Sequence, residues 1–355
     1  MVNSLRGVAC YDQVGSKVPC ASFEASLEEG INVIHSPNGS GKSTFLTLLH
    51  PLAYAWSALG SYAEPLLRLS FVSYLSLKWP LPAVGYVELD EGRLLWYRKE
   101  SLAESLSSTF GFEDLLEQAK GCQGALELEG GDYSFSGLPN TEFRFAYLGM
   151  GRACGTASHE KLVLSSDITL TEKYSAYHSP HLALVLNLLK ATFIELVRYK
   201  AYTDEALEEL KVVIPNLVDV RLSEGIYKVA FVVKEGGEEV ELEPWSLGDG
   251  QRSLLALKAL RSMFGDKRGL FVSDTPETFL YSGEDGDQLK EAVKTIASFS
   301  DSHQVVVATS KPEVRGMLVN EYQAVPYKII KEGSEVRERE GVKIVISKNK
   351  LVTIQ

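Results

Sequence analysis

The sequence predicts an α/β fold: a mixed sheet with a phosphate-binding loop after one of its strands, an antiparallel β subdomain, and a helical lobe. Three observations predict it. An apolar run (Ile31, Val33, Ile34) enters Ser36–Ser43, SPNGSGKS, and the helix-like segment Phe45–Leu49 follows. Gly269–Asp274, GLFVSD, is an apolar strand ending on a carboxylate, and Gln304–Thr309, QVVVAT, is apolar enough to be buried on both faces of a parallel sheet. Ahead of the loop, Leu5–Tyr11 and Ala21–Leu27 read as two strands with no helix between them, which suits an antiparallel pair.

The loop fits the pattern G-x-x-x-x-G-K-[ST] with one departure, Ser36 at the first glycine. Gly39 and Gly41 let the backbone turn its N–H groups inward around phosphate oxygens, with Asn38 and Ser40 beside them. Lys42 is placed to reach the β- and γ-phosphates of a nucleotide, and the Ser43 hydroxyl to ligate Mg²⁺. Thr44 opens a helix expected over Thr44–Tyr54, whose N-terminal dipole faces the anion. The bland alternative is a Gly/Ser turn; strand before, Gly-Lys-Ser within and helix after weigh against it.

At 355 residues and 39.1 kDa the chain makes one large or two ordinary domains, and 45% hydrophobic residues supply a core. A net charge of −11 argues against a surface coated in basic charge for nucleic acid. Cys10, Cys20, Cys122 and Cys154 form no C-x-x-C pair, so neither a zinc site nor a disulfide framework is expected. A reducing cytosol follows as the expected compartment, and a bridge between Cys10 and Cys20 is disfavoured on that ground. No apolar signal region follows Met1–Arg6, and Leu182–Val197 is too short and too charged to span a bilayer, so no membrane contact is expected.

Taken in order, the acidic turn Glu28-Glu29-Gly30 precedes the loop strand, and Leu66–Trp79 is apolar and mixed. Val84–Leu89 and Arg93–Arg98 read as a hairpin, as do Ala125–Glu129 and Tyr133–Ser136. Ser101–Lys120 is helical or loop, and Met150–Ser166 is a Gly- and Ser-rich exposed loop. Ser179-Pro180 caps a helix whose apolar face carries Leu182, Leu186, Leu189, Phe193 and Leu196. His178 and His181 at its start read as surface or capping residues rather than metal ligands. A helix over Thr203–Val213 leads to strands Asp219–Ser223, Tyr227–Lys234 and Glu239–Leu242. No repeat and no long heptad run appears. Residues 1–100 are expected to form the loop lobe, 101–215 an insertion in place of coiled-coil arms, and 216–355 the rest of one composite domain.

Two later stretches narrow the reading. Trp245–Leu257, WSLGDGQRSLLAL, sets a Gly-rich turn before a helix expected over Ser253–Met263. In Gly269–Glu277, GLFVSDTPE, Asp274 ends a strand where it can hold Mg²⁺ opposite Ser43. Phosphate loop, Gly-rich helix start, Asp-ended strand and apolar strand, in that order, resemble the P-loop ATPase heads of the ABC superfamily. Leu247-Gly248-Asp249-Gly250-Gln251 looks like the family's LSGGQ signature, with Gly248 in the serine's place; a shifted register keeps Ser246 as the serine. The wording is most similar to the RecF-, OLD- and SMC-related branch, and the long interval between loop and signature is unlike transporter subunits. The resemblance runs from Leu5 to about Pro312, with an unrecognisable middle.

What the resemblance implies is an ATP-gated clamp: two heads, identical or different, sandwich ATP between the loop of one and Ser246, Gly248, Gly250 and Gln251 of the other. It also implies a partner such as a nuclease, and DNA as a candidate substrate. Three departures bear on catalysis. The family's general base, a Glu after the Asp, is Thr275 here, and Glu277 either substitutes or only solvates the turn. The switch histidine falls at Ser310, and no Gln occurs between Thr44 and Glu117 where one is expected. Slow hydrolysis in DNA maintenance or defence is the first reading, a non-hydrolysing ATP-gated scaffold the second, and a transporter subunit the third. Lys190, Arg198, Lys200, Lys258, Arg261, Lys267 and Arg268 are candidate nucleic-acid contacts that read as readily as solvated helix faces.

Overall fold

The computed structural model describes residues 1–11, 14–49, 51–52, 81–90, 92–98, 127–130, 133–137, 144–148, 177–178, 204–223, 228–242, 246–264, 268–278, 280, 288–339 and 341–354. Along the chain these form β1 (Val2–Cys10), β2 (Lys17–Ser26), β3 (Ile31–His35), α1 (Lys42–Thr47), β4 (Leu81–Leu89) and β5 (Gly92–Arg98). Then come β6 (Glu127–Gly130), β7 (Tyr133–Ser136), β8 (Arg144–Leu148), β9 (Tyr177–His178) and α2 (Asp204–Lys211). Next are β10 (Leu217–Ser223), β11 (Lys228–Glu235), β12 (Glu238–Leu242), α3 (Asp249–Phe264) and β13 (Gly269–Asp274). The last are α4 (Gln288–Ser298), β14 (His303–Thr309), α5 (Pro312–Tyr322), β15 (Val325–Arg339) and β16 (Val342–Thr353).

Among the described residues, thirteen strands make one mixed sheet in the order β6-β7-β5-β4-β1-β2-β16-β15-β3-β14-β13-β8-β9. From β6 to β2 every pairing is antiparallel, and from β15 through β3 to β9 every pairing is parallel. The β15–β16 hairpin joins the halves, because β16 lies parallel to β2 while β15 lies parallel to β3. Strands from residues 101–215 extend both ends of the sheet: β7 pairs with β5 and β8 with β13.

Strand alternation divides the core. Val33, Phe271, Val305 and Val307 face Leu254 and Leu255 of α3, Val293 and Ile296 of α4, and Val314 and Leu318 of α5. Ile34, Leu270, Val272, Val306 and Ala308 face the other way, onto Phe45 and Leu46 of α1. The far side of α1 is covered by Leu5 and Phe23 of β1 and β2 and by Val87, Leu94 and Trp96 of β4 and β5. The sheet therefore wraps α1, the helix that carries the loop, while α3, α4 and α5 lie on its opposite face. The small antiparallel sheet β10-β11-β12 packs on that opposite face too, through Val220, Phe231 and Val233.

Buried polar side chains stitch the halves. Gln304 of β14 accepts from the Val2 amide (2.8 Å) and donates to the carbonyls of Val2 and Glu28 (2.9 Å each). Asn32 braces the turn before β3, accepting from the Glu28 amide at 2.9 Å and donating to its carbonyl at 2.8 Å. Room for the buried Trp96 indole comes from Gly85, its register partner: a Cβ there would sit 2.1 Å from Trp96 Cζ2.

Three expectations need correction. Cys10 and Cys20 are joined by a disulfide, their Cα atoms 4.1 Å apart, because the β1–β2 register places them directly opposite. The absence of a C-x-x-C motif was therefore no guide to pairing. Helix α1 starts at Lys42, two residues before the expected Thr44, so the lysine and Ser43 belong to its first turn. Helix α3 starts at Asp249 rather than Ser253, so Asp249, Gly250 and Gln251 lie within the helix. The helix expected at Leu182–Val197, the segments Leu66–Trp79, Ser101–Lys120 and Met150–Ser166, and His181 lie outside the described residues.

Candidate nucleotide site

The loop leaves β3 at the C-terminal edge of the parallel strands and turns back through two left-handed glycines, Gly39 (φ 78°) and Gly41 (φ 94°). At Gly41 the space is restricted as well, since a Cβ would meet Phe23 Cζ at 3.1 Å. Ser36 is buried, and its hydroxyl accepts from the Ile329 amide of β15 at 3.0 Å while its own amide faces the Thr309 carbonyl at 3.4 Å. The hydroxyl that replaces the pattern's first glycine thus fastens the loop to β15. Lys42 is 6% exposed and folds over the loop, donating to the carbonyls of Ser36 (2.5 Å) and Pro37 (3.0 Å). Thr44 Oγ1 lies 3.4 Å from the Tyr11 hydroxyl. Asn38, Gly39 and exposed parts of Ser40 and Ser43 form the outer rim of the loop.

Asp274 ends β13 and is fully buried on the α1 side of the sheet, following the alternation of Leu270 and Val272. Thr275 then takes a left-handed conformation (φ 49°), with its amide on the Ala308 carbonyl at 2.7 Å. That turn brings Glu277 inward. The residue is 7% exposed, and its carboxylate accepts from the Ser310 amide at 3.2 Å through Oε1 and leaves Oε2 without a hydrogen-bond partner among the described residues.

Burial lowers the pKa of the Lys42 ammonium, against the opposing pull of Asp274 and Glu277. Burial also lowers that of the His35 imidazole, reinforced by Arg315 and Lys42 and opposed by Glu277 and the Thr309 carbonyl. Lys42, Glu277, His35 and Arg315 are thus electrostatic neighbours at one edge of the sheet. His35 and Arg315 escaped the sequence reading. The first stands immediately before Ser36, a signal that was available; the second, in the first turns of α5, carried none.

Ser43 and Asp274 offer hydroxyl and carboxylate oxygens on two packed elements, α1 and β13. That is the hard-donor chemistry Mg²⁺ takes, so the pair fits the ion. No group of three or more His, Cys, Asp or Glu side chains is gathered for a metal among the described residues.

The segment 246–251 lies elsewhere on the molecule. Leu247 is buried with α3 and α4, whereas Ser246 and Gly248 are exposed. Gln251 accepts from the Gly248 amide at 3.1 Å and donates to the Val213 carbonyl at 3.3 Å, which ties this helix start to the turn after α2. Its side of the sheet is opposite that of α1. The described basic candidates are paired: Lys258 with Glu291 (2.6 Å), Arg261 with Ser298 (2.9 Å) and Asp301 (3.5 Å), and Arg268 with Asp90 (2.9 Å). Lys190, Arg198, Lys200 and Lys267 lie outside the described residues.

No protein-family model matches this chain, and no curated protein matches it. Among solved structures, it is similar to an SMC head bound to the C-winged helix domain of ScpA. The identity is 13%, the TM-score 0.44, and 100% of this chain and 98% of that one are covered. It is also similar to a dimeric bacterial ABC transporter cassette, at 16% identity and a TM-score of 0.39, covering 92% of this chain and 94% of the other. Likeness at this level says nothing of what the chain binds or does. Among the described residues, no helix is long and apolar enough to cross a membrane.

Proposed function

We propose that the chain is an ABC-type ATPase head that binds Mg·ATP on residues 36–44 and hydrolyses it slowly. The observation that carries this reading is the convergence of Lys42, Asp274 and Glu277, all buried, at one edge of the parallel strands. Asn38, Gly39, Ser40 and Gly41 would supply backbone N–H groups to the phosphates, with Lys42 on the β- and γ-phosphates. Ser43 and Asp274 would hold Mg²⁺, which neutralises phosphate charge. Glu277 would be the base in place of Thr275: its Oε2, without a hydrogen-bond partner among the described residues, could accept a proton from an attacking water.

Ser246, Gly248, Gly250 and Gln251 serve a second head. Loop helix and signature helix occupy opposite faces of one sheet, and the exposed Ser246 and Gly248 are available to a facing subunit. This arrangement supports an ATP sandwich between two heads, with residues 1–100, 101–215 and 216–355 forming one composite head in each. Service in DNA repair, chromosome maintenance or defence, with a nuclease or another partner, rests on the wording of the motifs alone.

Phosphate release from Mg·ATP, with and without duplex DNA, tests the reading against Lys42→Ala. Turnover lost in the variant is the expected result, and stimulation by DNA would support the nucleic-acid assignment. A second reading, a non-hydrolysing ATP-gated scaffold, is favoured by the uncharged Thr275 and Ser310. Tight ATP binding with no turnover above the Lys42→Ala background would select it.

A further inference from the structure

The cation on α5 nearest the loop strand has no task in the scheme above. Arg315 lies one turn past Lys311, whose carbonyl accepts the Arg315 amide at 3.3 Å. The residue before Lys311 is Ser310, and the Ser310 amide is bonded to Glu277. The start of α5 is thus fastened to the same carboxylate that faces the loop. Arg315 Nε is buried and has no hydrogen-bond partner among the described residues. A guanidinium donor kept from water without an acceptor is costly, and an oxyanion is its natural complement. His35, at the end of the loop strand, feels the charges of Arg315 and Lys42 together, so both cations lie near the point where the strand enters the loop. Ser310 itself brings no charge to this edge.

We propose that Arg315 reads the third phosphate of the bound nucleotide, its guanidinium contacting a γ-phosphate oxygen and so distinguishing a triphosphate from a diphosphate. Other charged or titratable groups meeting there are Lys42 from α1, Asp274 at the end of β13, Glu277 from the turn after it, and His35 from β3. Lys42 would serve the β- and γ-phosphates and so favour both nucleotides, whereas Arg315 on α5 would act on the γ-phosphate alone. This assignment rests on the proposal that the loop binds ATP.

The test is calorimetric titration of Mg·ATP and Mg·ADP into wild type, Arg315→Gln, Arg315→Lys and Lys42→Ala, with thermal unfolding as a check on each fold. Arg315→Gln is expected to weaken ATP about tenfold to a hundredfold and leave ADP unchanged, in keeping with the loss of one charge-assisted hydrogen bond. Arg315→Lys should recover part of the difference, as a point charge without the planar fork. Equal loss for both nucleotides, or no change in either, overturns the inference while Lys42→Ala still abolishes binding. If Lys42→Ala binds ATP as wild type does, the loop reading fails instead and takes this inference with it.

Discussion

His35 sits between the loop and α5 with its pKa held below 6.5 by burial and by the nearby cations. Between that lowered value and the unfolded value of 6.5, the unfolded chain binds more protons than the folded one. Stability therefore rises with pH through this window, is complete above it, and falls on acidification. Urea unfolding from about pH 7 to about pH 5 should show wild type losing more stability than His35→Gln; parallel curves would refute a buried neutral imidazole. At this scale the sequence was most informative where a residue's position follows from its place in a short motif. Lys42 in the loop and Asp274 at the end of β13 belong to that class. Glu277 did not, because its direction depends on the left-handed turn at Thr275, and a β-branched residue rarely announces such a backbone. Ser36 reads in the sequence only as a departure from the pattern's first glycine; its bond to Ile329 lies 293 positions away, beyond the reach of any motif.

Among the elements, β4 and β5 show how a strand pair depends on one missing side chain. Gly85→Ala would drive a methyl group into the buried Trp96 ring and should cost about 1–3 kcal/mol, read by chemical denaturation. In Gly85→Ala/Trp96→Leu the clash is gone, so the double variant should be more stable than the sum of the two single losses. Additive losses would place the effect of Gly85 in the backbone rather than in packing. Most strands were legible from alternation and turn residues, including β1, β2 and both expected hairpins. The cysteine pairing was not, because compartment was weighed above register. In this hairpin every pair from Ser4–Ser26 to Cys10–Cys20 is fixed once one is known, and that geometry alone opposes the two thiols. Helix starts at Lys42 and Asp249 were placed late, since glycine-rich turns mask the first helical residues.

For the whole molecule, the placement of α1 and α3 on opposite faces leads to an oligomeric prediction. Glu277→Gln should retain ATP, so light scattering in Mg·ATP is expected to show a shift from 39.1 kDa to twice that mass. Lys42→Ala should stay monomeric, and a Glu277→Gln protein that binds ATP without changing mass would remove the sandwich. Motif order suggested the mixed sheet, yet not its continuity, because the β15–β16 ribbon that unites the halves has no motif of its own. Strand β3 lies between β14 and β15, and Asn32 bonds to Val305 across 273 positions. During synthesis at about 5–20 residues per second, the loop's strand therefore waits on the order of tens of seconds for either neighbour. Over that interval the ribosome-bound chain displays an apolar strand with both edges unsatisfied. Until β14 and β15 have been made those edges stay open, and a chain cut short before them is expected to become a substrate for chaperones and proteases rather than to fold with a weakened loop.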